Sequence, residues 1–284
     1  MELQEPPLAK MLQTMDQSTQ YEIRVNSKFP RHYIHHSALD HADSRPEGSK
    51  LEPLDTHMYQ AVISALRDNW LFKRKMSSGN EVCYEDLATV SEGNWLNDIS
   101  LYEYLLLICK RSTEEAGADL EGNFQCIAPY FGVDLQNGEP LEKLRKITSR
   151  VKLKEARGIF VPINIQGRHW TLLVLDLPNR KVFTLDSGER FHGVSLEAIG
   201  WIVAQYVRNW AFEEQLVGLN DVWEVIRREV PQQTNSSDCG TFVAQFARKI
   251  ALDNSNVWEV KQDDMRHLRK KMIQELFYDT LFPM

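Results

Sequence analysis

Three short apolar runs in the middle of the chain restrict the fold that it can adopt. They span 158–165 (GIFVPINI), 171–177 (TLLVLDL) and 181–186 (KVFTLD), and the turn PNRK separates the last two. Runs of this length, rich in branched residues and bounded by turn-forming residues, are typical of consecutive strands in a buried sheet. Helical patterns precede and follow these strands, so we predict an α+β protein.

Apolar periodicity predicts helices on both sides of these strands. In the segment 57–68 and again after Asn97, apolar residues recur on one helical face, and Asn97 or Asp98 can cap the second helix. Cys109 falls on the apolar face of that helix and is expected in the core. Beyond the strands, the pattern predicts an amphipathic helix from Glu197 to about Glu214, a strand within 223–231, and helices within 241–252 and 264–282.

The beginning of the chain has a different composition from the rest. Residues 30–50 are polar, rich in histidine and broken by prolines, without a sustained helical or strand period. We therefore predict a flexible arm over residues 1–55 and a single folded domain over 56–284. The histidines of the arm have no cysteine near them and no helical metal spacing, so we interpret them as solvated side chains. They are His32, His35, His36 and His41.

Charge and cysteine content exclude several classes of protein. The formal net charge is −7, which does not supply the basic field that a nucleic-acid partner requires. The four cysteines contain no CxxC pair and no dense secreted spacing, so neither a zinc knuckle nor a disulfide framework is indicated. The chain is therefore expected to work in a reducing compartment.

No membrane attachment is predicted either. The longest apolar run, around 104–109, is far shorter than the roughly 18 residues that a membrane span needs. The first ten residues, MELQEPPLAK, lack the positive and apolar regions of a secretory signal.

Cys239 is the best candidate for a nucleophile. It follows the polar, turn-forming run NSSD and precedes Gly240, at the start of a predicted helix. A helix N-terminus favours the thiolate, because its unpaired N–H groups and its dipole stabilise negative charge. Taken alone, however, the segment fits an inert buried thiol better than a nucleophile.

A base and its orienting carboxylate can be placed on the predicted strands. His169 lies at the start of the second strand after the turn QGR, and Asp186 closes the third strand. If these strands are antiparallel neighbours, His169 and Asp186 lie at the same edge and within hydrogen-bonding reach. A histidine at a strand start is more often structural, but the coincidence with Asp186 and Cys239 favours catalysis.

Acyl transfer also needs donors for the developing oxyanion. A side-chain amide shortly before the nucleophile can act together with the backbone N–H of the nucleophile. Gln233 is the candidate, and the adjacent Gln232 cannot be separated from it by spacing alone.

Several segments together resemble the Ulp/SENP family of ubiquitin-like-modifier proteases. The resemblance lies in GRHWTLLVLDL, FTLDSG and VPQQTNSSDCGTFVAQFA, which are similar to the His-Trp, Asp-Ser and Gln-to-Asp-Cys-Gly motifs of the family. WLND at 95–98 is similar to its N-terminal signature, and DDMRHLRKKMIQEL to its closing helix. The likeness extends from about Tyr84 to Phe282 and departs mildly at Ser236, where many members have glycine.

This resemblance implies a papain-like α+β fold in which the Cys239 helix packs on a central mixed sheet flanked by helices. It implies a catalytic triad of Cys239, His169 and Asp186, with Gln233 in the oxyanion hole. Trp95 and Trp170 match the aromatic residues that cover the tunnel for a Gly-Gly tail. Flat aromatic walls suit a tail without side chains, although either tryptophan could simply be a packing residue. No cofactor and no metal are implied.

The implied function is hydrolysis after the C-terminal Gly-Gly of a ubiquitin-like modifier, by a monomer working in the nucleus or cytoplasm. SUMO is the favoured modifier, while ubiquitin and the cullin modifier remain alternatives because they share the diglycine end. An acyltransferase on the same cysteine scaffold and a non-catalytic modifier-binding protein are alternatives of other classes. Use inside a host cell, as a delivered effector, stays open as well.

Overall fold

A computed structural model describes residues 45–47, 49–116, 123–188, 194–219, 221–252 and 257–282. Most of the predicted arm, with its four histidines, lies outside these residues. The α-helices described are α1 (Thr56–Asp68), α2 (Tyr84–Thr89), α3 (Asp98–Ala116), α4 (Tyr130–Gln136), α5 (Leu141–Thr148), α6 (Leu196–Glu213), α7 (Cys239–Leu252) and α8 (Met265–Tyr278). The strands described are β1 (Lys73–Lys75), β2 (Glu81–Cys83), β3 (Asn123–Cys126), β4 (Ala156–Ile165), β5 (His169–Asp176), β6 (Lys181–Leu185) and β7 (Glu224–Arg227).

The described residues cluster into two compact units. We call residues 116–229 the sheet unit, and residues 45–115 together with 230–282 the helical unit. The predicted site residues fall in both units, with His169, Asp186 and Trp170 in the sheet unit and Trp95, Gln233 and Cys239 in the helical unit.

The sheet unit is built on a five-stranded mixed sheet of order β3-β4-β5-β6-β7. The central pairs β4–β5 and β5–β6 are antiparallel, whereas β3 and β7 add to the two edges in parallel. Helix α4 packs on β4, and α6 packs on β6 and β7. An α+β protein with a mixed sheet flanked by helices was expected, and this architecture is confirmed.

The apolar faces of these elements account for the core of the sheet unit. Strand β4 is buried almost without interruption, since Ile159, Val161 and Ile163 each expose 0% of their surface. Helix α6 approaches the sheet at Gly200, where a Cβ atom would lie 2.9 Å from Cγ1 of Val225. A side chain at this position would therefore force the helix away from the sheet.

The helical unit is held together by helices and by a buried polar cluster. Helix α1 packs on α8, and α7 also packs on α8. Tyr104 donates a 2.6 Å hydrogen bond to Glu275, and Arg248 donates to Tyr104 at 2.7 Å and to Glu275 at 3.0 Å. Each of these polar groups has a partner within the cluster, which removes much of the cost of burying them.

The folded unit begins somewhat before the predicted boundary at residue 56. Leu54 is buried, and the hydroxyl of Ser49 donates a 3.0 Å hydrogen bond to Asp264. The carbonyl of Glu52 also lies 3.0 Å from Nε2 of His267. The segment from Ser49 to Leu54 is thus attached to the helical unit.

Among the residues described, none of the helices combines the length and the apolar character needed to cross a bilayer.

Candidate active site

His169 is the first residue of β5 and follows a tight turn. Gln166 and Gly167 have φ angles of 55° and 68°, and the N–H of Arg168 donates to the carbonyl of Ile165 at 3.0 Å. Two successive positive φ angles are typical of a type I′ hairpin turn, whose twist matches that of the flanking strands. Since Ile165 pairs with His169, the hairpin fixes the point at which the imidazole leaves the sheet.

Asp186 follows β6 directly and meets His169 across the antiparallel pair. Its Oδ1 lies 2.7 Å from Nε2 of His169, and the same oxygen accepts a 2.8 Å hydrogen bond from the N–H of Gly188. His169 is 6% exposed and Asp186 is 5% exposed, so the pair is shielded from water. The reach predicted from the strand positions is therefore present in the structure.

This arrangement assigns different roles to the two ring nitrogens. With Nε2 directed at the carboxylate, an N–H at Nε2 donates to Asp186 and leaves Nδ1 as the basic nitrogen of the neutral imidazole. A proton gained at Nδ1 would place a positive charge next to the buried carboxylate, which would stabilise it. The pair is thus suited to general base catalysis.

Cys239 is the first residue of α7 in the helical unit and is a free, buried thiol. The carbonyl of Asp238 accepts the first helical hydrogen bond, from the N–H of Phe242 at 2.9 Å. The N–H groups of the first helical turn have no partner inside a helix and can serve an anion or an oxyanion. The predicted position at a helix N-terminus is confirmed.

The loop that precedes Cys239 is closed by its own side chains. Oδ1 of Asn235 accepts from the N–H groups of Ser237 and Asp238, each at 3.1 Å, and its Nδ2 donates to Asp238 at 2.7 Å. The described non-glycine residues with a positive φ are Gln166, Arg180, Gln215 and Asp279. Ser236 is therefore not in the left-handed region, and serine in place of glycine causes no backbone strain there.

The two adjacent glutamines differ in their surroundings. Gln233 is 7% exposed, and its Nε2 donates a 2.6 Å hydrogen bond to the carbonyl of Asn235, inside the loop. Gln232 is less buried and donates to the carbonyl of Val230 at 3.1 Å. Gln233 is therefore the glutamine whose side chain belongs to the loop before Cys239.

The two tryptophans also differ. Trp95 is 38% exposed, and two residues later Oδ1 of Asn97 accepts from the N–H of Ser100 at 2.9 Å, which caps α3. Nδ2 of Asn97 donates to Asp86 at 2.7 Å, so the segment after Trp95 is anchored on both sides. Trp170 is only 5% exposed within β5. Their role as walls of a tunnel stays a prediction.

Two other cysteines, Cys109 and Cys83, are poorly suited to form a thiolate. Burial raises the pKa of Cys109 well above its usual range. Cys83 also precedes a helix, the short α2, which the sequence did not reveal. Burial and the hydrogen bond to the carboxylate of Asp86 raise the pKa of Cys83 to about 12. A helix start alone is thus insufficient to activate a thiol.

Two charged residues beside Cys239 were missed from the sequence. Asp238 accepts hydrogen bonds from Asn235, from Gln262 at 2.6 Å and from Arg269 at 2.7 Å. Arg269 lies on the buried face of α8, four residues after Met265 and three before Met272. A charge on an apolar helical face was the signal that could have revealed it.

Within the ranges that the structure describes, there is no group of three or more histidine, cysteine, aspartate or glutamate residues that could hold a metal ion.

Comparison with characterised proteins gives consistent matches. Mouse sentrin-specific protease 2 is 28% identical over 215 residues, which is 74% of this chain and 33% of that protein. Human sentrin-specific protease 5 is 28% identical over 195 residues, or 68% of this chain and 23% of that protein. The chain therefore spans a third or less of the length of these relatives.

Solved structures show the same fold. The C-terminal Ulp1 protease domain, solved in complex with Smt3, the yeast ortholog of SUMO, has a TM-score of 0.64 at 20% identity and covers 82% of this chain and 99% of that chain. The catalytic domain of the Ulp1-like SUMO protease of Chaetomium thermophilum has a TM-score of 0.66 at 21% identity, over 86% of this chain and 97% of that chain. The papain-like α+β fold expected from the sequence is confirmed by these likenesses.

A family model described as the Ulp1 protease family, C-terminal catalytic domain, matches residues 133–279. This match contains His169, Asp186, Gln233 and Cys239 and covers more than half of the 284 residues. The resemblance seen in the sequence motifs is thereby confirmed, and the chain belongs to the Ulp1 protease family.

Proposed function

We propose that this chain is a cysteine protease that hydrolyses the bond after the C-terminal Gly-Gly of a ubiquitin-like modifier, with SUMO as the favoured modifier. The observation that carries this proposal is the buried pair of His169 and Asp186, joined at 2.7 Å between Nε2 and Oδ1. A buried imidazole held by a carboxylate is the arrangement that a thiol nucleophile needs for its base.

The proposed nucleophile is Cys239, and its partnership with His169 follows from family membership. The thiol loses its proton to Nδ1 of His169, because Nε2 is directed at Asp186. The sulfur then bonds to the carbonyl carbon of the second glycine, and the electrons of the C=O π bond move to the oxygen. Asp186 stabilises the imidazolium without taking the proton itself.

The oxyanion would be stabilised by two donors. One is the backbone N–H of Cys239 at the start of α7, and the other is the side-chain amide of Gln233. Collapse of the tetrahedral intermediate breaks the bond to the leaving amine, which takes the proton from His169. Water, deprotonated by His169, then attacks the thioester, releasing the modifier carboxylate and the free thiol.

Trp95 and Trp170 are proposed to contact the Gly-Gly tail. Aromatic side chains offer a large rigid area to a backbone without side chains and exclude tails with bulkier residues. The exposure of Trp95, 38%, supports a binding role better than a packing role.

SUMO is favoured because the characterised relatives are sentrin-specific proteases and the similar yeast domain was solved with Smt3. Ubiquitin and the cullin modifier share the diglycine end and are distinguished by surface contacts, so they stay alternatives. The leaving group can be a lysine amine of a conjugate or the tail of a precursor.

The remaining proposals concern organisation and location. We propose that residues 56–284 are the catalytic domain, that Ser49 to Leu54 pack onto its helical unit, and that the preceding residues contribute no catalytic group. The free thiol chemistry suits the nucleus or cytoplasm, of the producing cell or of a host. A monomer is sufficient, because the proposed catalytic residues all come from one chain.

The test uses SUMO, ubiquitin and the cullin modifier, each carrying a C-terminal electrophile. We expect a covalent adduct with SUMO that Cys239→Ala abolishes. Cys83→Ala is the matched control, since this half-buried thiol has a raised pKa and should leave the adduct intact. An adduct with another modifier would reassign the substrate. If the folded protein reacts with none of them, protease function is wrong, and transfer of a labelled acetyl group would then test the acyltransferase alternative.

A further inference from the structure

Arg269 is a buried arginine that uses all of its hydrogen-bond donors near the proposed nucleophile. Its side chain is 1% exposed in the helical unit. A guanidinium carries five N–H donors in a rigid plane. The five bonds recorded run from Nε to Asp238 at 2.7 Å, from Nη1 to the carbonyls of Val90 and Ser91 at 3.0 Å, and from Nη2 to the carbonyls of Asn94 at 3.0 Å and Ser237 at 2.6 Å.

These acceptors belong to two segments that are far apart in the chain. Val90, Ser91 and Asn94 form the segment that ends at Trp95, whereas Ser237 and Asp238 directly precede Cys239. Arg269 is separated from them by 175 to 179 residues on one side and by 31 to 32 on the other. One guanidinium therefore ties the Trp95 segment to the Cys239 segment.

Asp238 completes this attachment from the side of the nucleophile. Its Oδ1 accepts from Arg269, while its Oδ2 accepts from Nδ2 of Asn235 at 2.7 Å and from Nε2 of Gln262 at 2.6 Å. The Oε1 of Gln262 in turn accepts from the N–H of Thr234 at 2.9 Å. The Asp238 carboxylate thus anchors the loop from Gln233 to Cys239 on Arg269 of α8.

Stability alone does not explain a charge in this position. Transferring a guanidinium and a carboxylate from water into the interior is expensive, and such pairs often add little net stability compared with apolar residues. What the pair does provide is geometry, since one rigid guanidinium holds four carbonyls and one carboxylate around it. A lysine would keep the charge but would present a single nitrogen with three donors, without the planar fork.

We propose that Arg269 is a positioning residue for catalysis, because it fixes the position of the Cys239 loop relative to the Trp95 segment. This inference rests on the proposed function, because its effect is read out as turnover of a modifier with a C-terminal Gly-Gly. Displacement of a nucleophile by about 1 Å can lower turnover by about 10²-fold, so loss of this anchor acts on kcat.

The experiment compares Arg269→Lys with Arg248→Lys. Arg248 is the matched control, because it is an equally buried arginine of the helical unit, 3% exposed at its side chain, and binds Tyr104 and Glu275 instead of the Cys239 loop. We measure kcat and KM with SUMO bearing a C-terminal aminomethylcoumarin, the rate of alkylation of Cys239 by iodoacetamide, and the thermal midpoint.

We expect Arg269→Lys to lower kcat by about 10²-fold and to change the rate of alkylation of Cys239. Arg248→Lys should lower the thermal midpoint to a similar extent, with kcat and alkylation within about twofold of wild type. If both variants stay folded and Arg269→Lys also keeps kcat and alkylation within about twofold, Arg269 is merely structural and the proposal is wrong.

A second set of variants covers the case in which Arg269→Lys does not fold. Arg269→Met combined with Asp238→Asn removes both buried charges together, which is tolerated better than removal of one. We expect the double variant to fold and to have a lower kcat than Asp238→Asn alone. Equal kcat values for these two variants would overturn the proposal. Failure of the wild type to turn over any modifier would instead reject the proposed function, while the alkylation comparison would still report on Arg269.

Discussion

The two sets of proposed catalytic residues are held in place by different means. In the sheet unit, backbone pairing of β5 with β6, such as Leu172 with Leu185, brings His169 and Asp186 together. In the helical unit, the loop before Cys239 is held by side chains from residues 24 and 31 positions after Asp238, namely Gln262 and Arg269. Changes to the Asp186 carboxylate should therefore lower activity without affecting the fold. Changes around the loop before Cys239 should lower activity by displacing the Cys239 thiol.

The largest expected effect in this comparison comes from Asp186→Asn. The strand register does not depend on this side chain, so the variant should fold normally. Loss of the carboxylate removes the group proposed to orient and stabilise the imidazolium, and we expect kcat to fall by about 10³-fold or more. Kinetics with a fluorogenic SUMO substrate, together with circular dichroism, measure both properties.

The matched control for this variant is Asp176→Asn at the other end of the hairpin. Asp176 accepts a 3.2 Å hydrogen bond from the N–H of Asn179 in the β5–β6 turn, far along the strand from His169. We expect its kcat to stay within about twofold. If Asp186→Asn instead unfolded the protein while retaining activity in the folded fraction, the role assigned to backbone pairing would be refuted.

The next effect concerns the loop, where Gln233→Ala is compared with Gln232→Ala. Removal of one oxyanion donor typically costs about 10² to 10³ in kcat, so we expect about 10²-fold for Gln233. Gln232, which bonds outside the loop to Val230, should have an effect of less than about threefold. Steady-state kinetics decide between them, and a larger loss at Gln232 would reverse the assignment that spacing alone left open.

A smaller effect is expected for Trp95→Ala, which tests binding at the end of the segment that Arg269 anchors. Loss of an aromatic contact with the tail should raise KM by about tenfold, while the thermal midpoint changes little because the side chain is 38% exposed. Trp70→Ala, at 68% exposure, is the control and should leave KM unchanged. A large fall in thermal midpoint for Trp95→Ala would favour the packing role.

The smallest effect is on the pH dependence of stability and concerns Lys271, two residues after Arg269. Burial, together with the nearby Arg248, lowers the pKa of Lys271 to about 8. The unfolded chain keeps this proton up to about pH 10.4, so between these values the unfolded state binds more protons and the free energy of unfolding rises with pH. We expect Lys271→Met to reduce this rise and to stabilise the protein at pH 7 by about 1 kcal/mol after allowance for solvent screening.

Urea denaturation of wild type and Lys271→Met at pH 7.5 and pH 10 measures this difference. Identical slopes of stability against pH in both proteins would show that the proton of Lys271 is not linked to folding. Unlike Arg269→Lys, Lys271→Met should leave kcat unchanged. This difference would separate a buried charge that positions the Cys239 loop from one that affects stability alone.

Much of the fold could be predicted because its signals are local. The strands beginning near residue 158 and at His169 and Lys181 were visible as branched apolar runs. A cap at Asn97 or Asp98 was visible before a helical pattern, and the structure shows that the cap is Asn97. The elements that were missed are short or lack side-chain caps. They include α4 with seven residues, β3 with four, and the three-residue strands β1 and β2. Packing against neighbours, rather than propensity, stabilises such elements.

The candidate site was also predictable only in part. The reach between His169 and Asp186 followed from two strand ends and one hairpin turn, because antiparallel pairing converts sequence position into spatial position. The difference between Gln232 and Gln233 did not follow from spacing, because it depends on which amide turns into the loop. Likewise, the sequence did not predict the helix that begins after Cys83. In the structure, the thiol of Cys83 donates a hydrogen bond to Asp86 in the first turn of that helix.

By itself, the sequence determined the type of fold, the candidate nucleophile, base, carboxylate and oxyanion donor, and the resemblance to the Ulp/SENP family. These properties depend on periodicity, turn residues and motif spacing, which act over a few residues each. Only the tertiary structure decided that Arg269 and Asp238 anchor the nucleophile loop. Five hydrogen bonds from one guanidinium to segments up to 179 residues away depend on how the chain folds back on itself, and no local pattern specifies them.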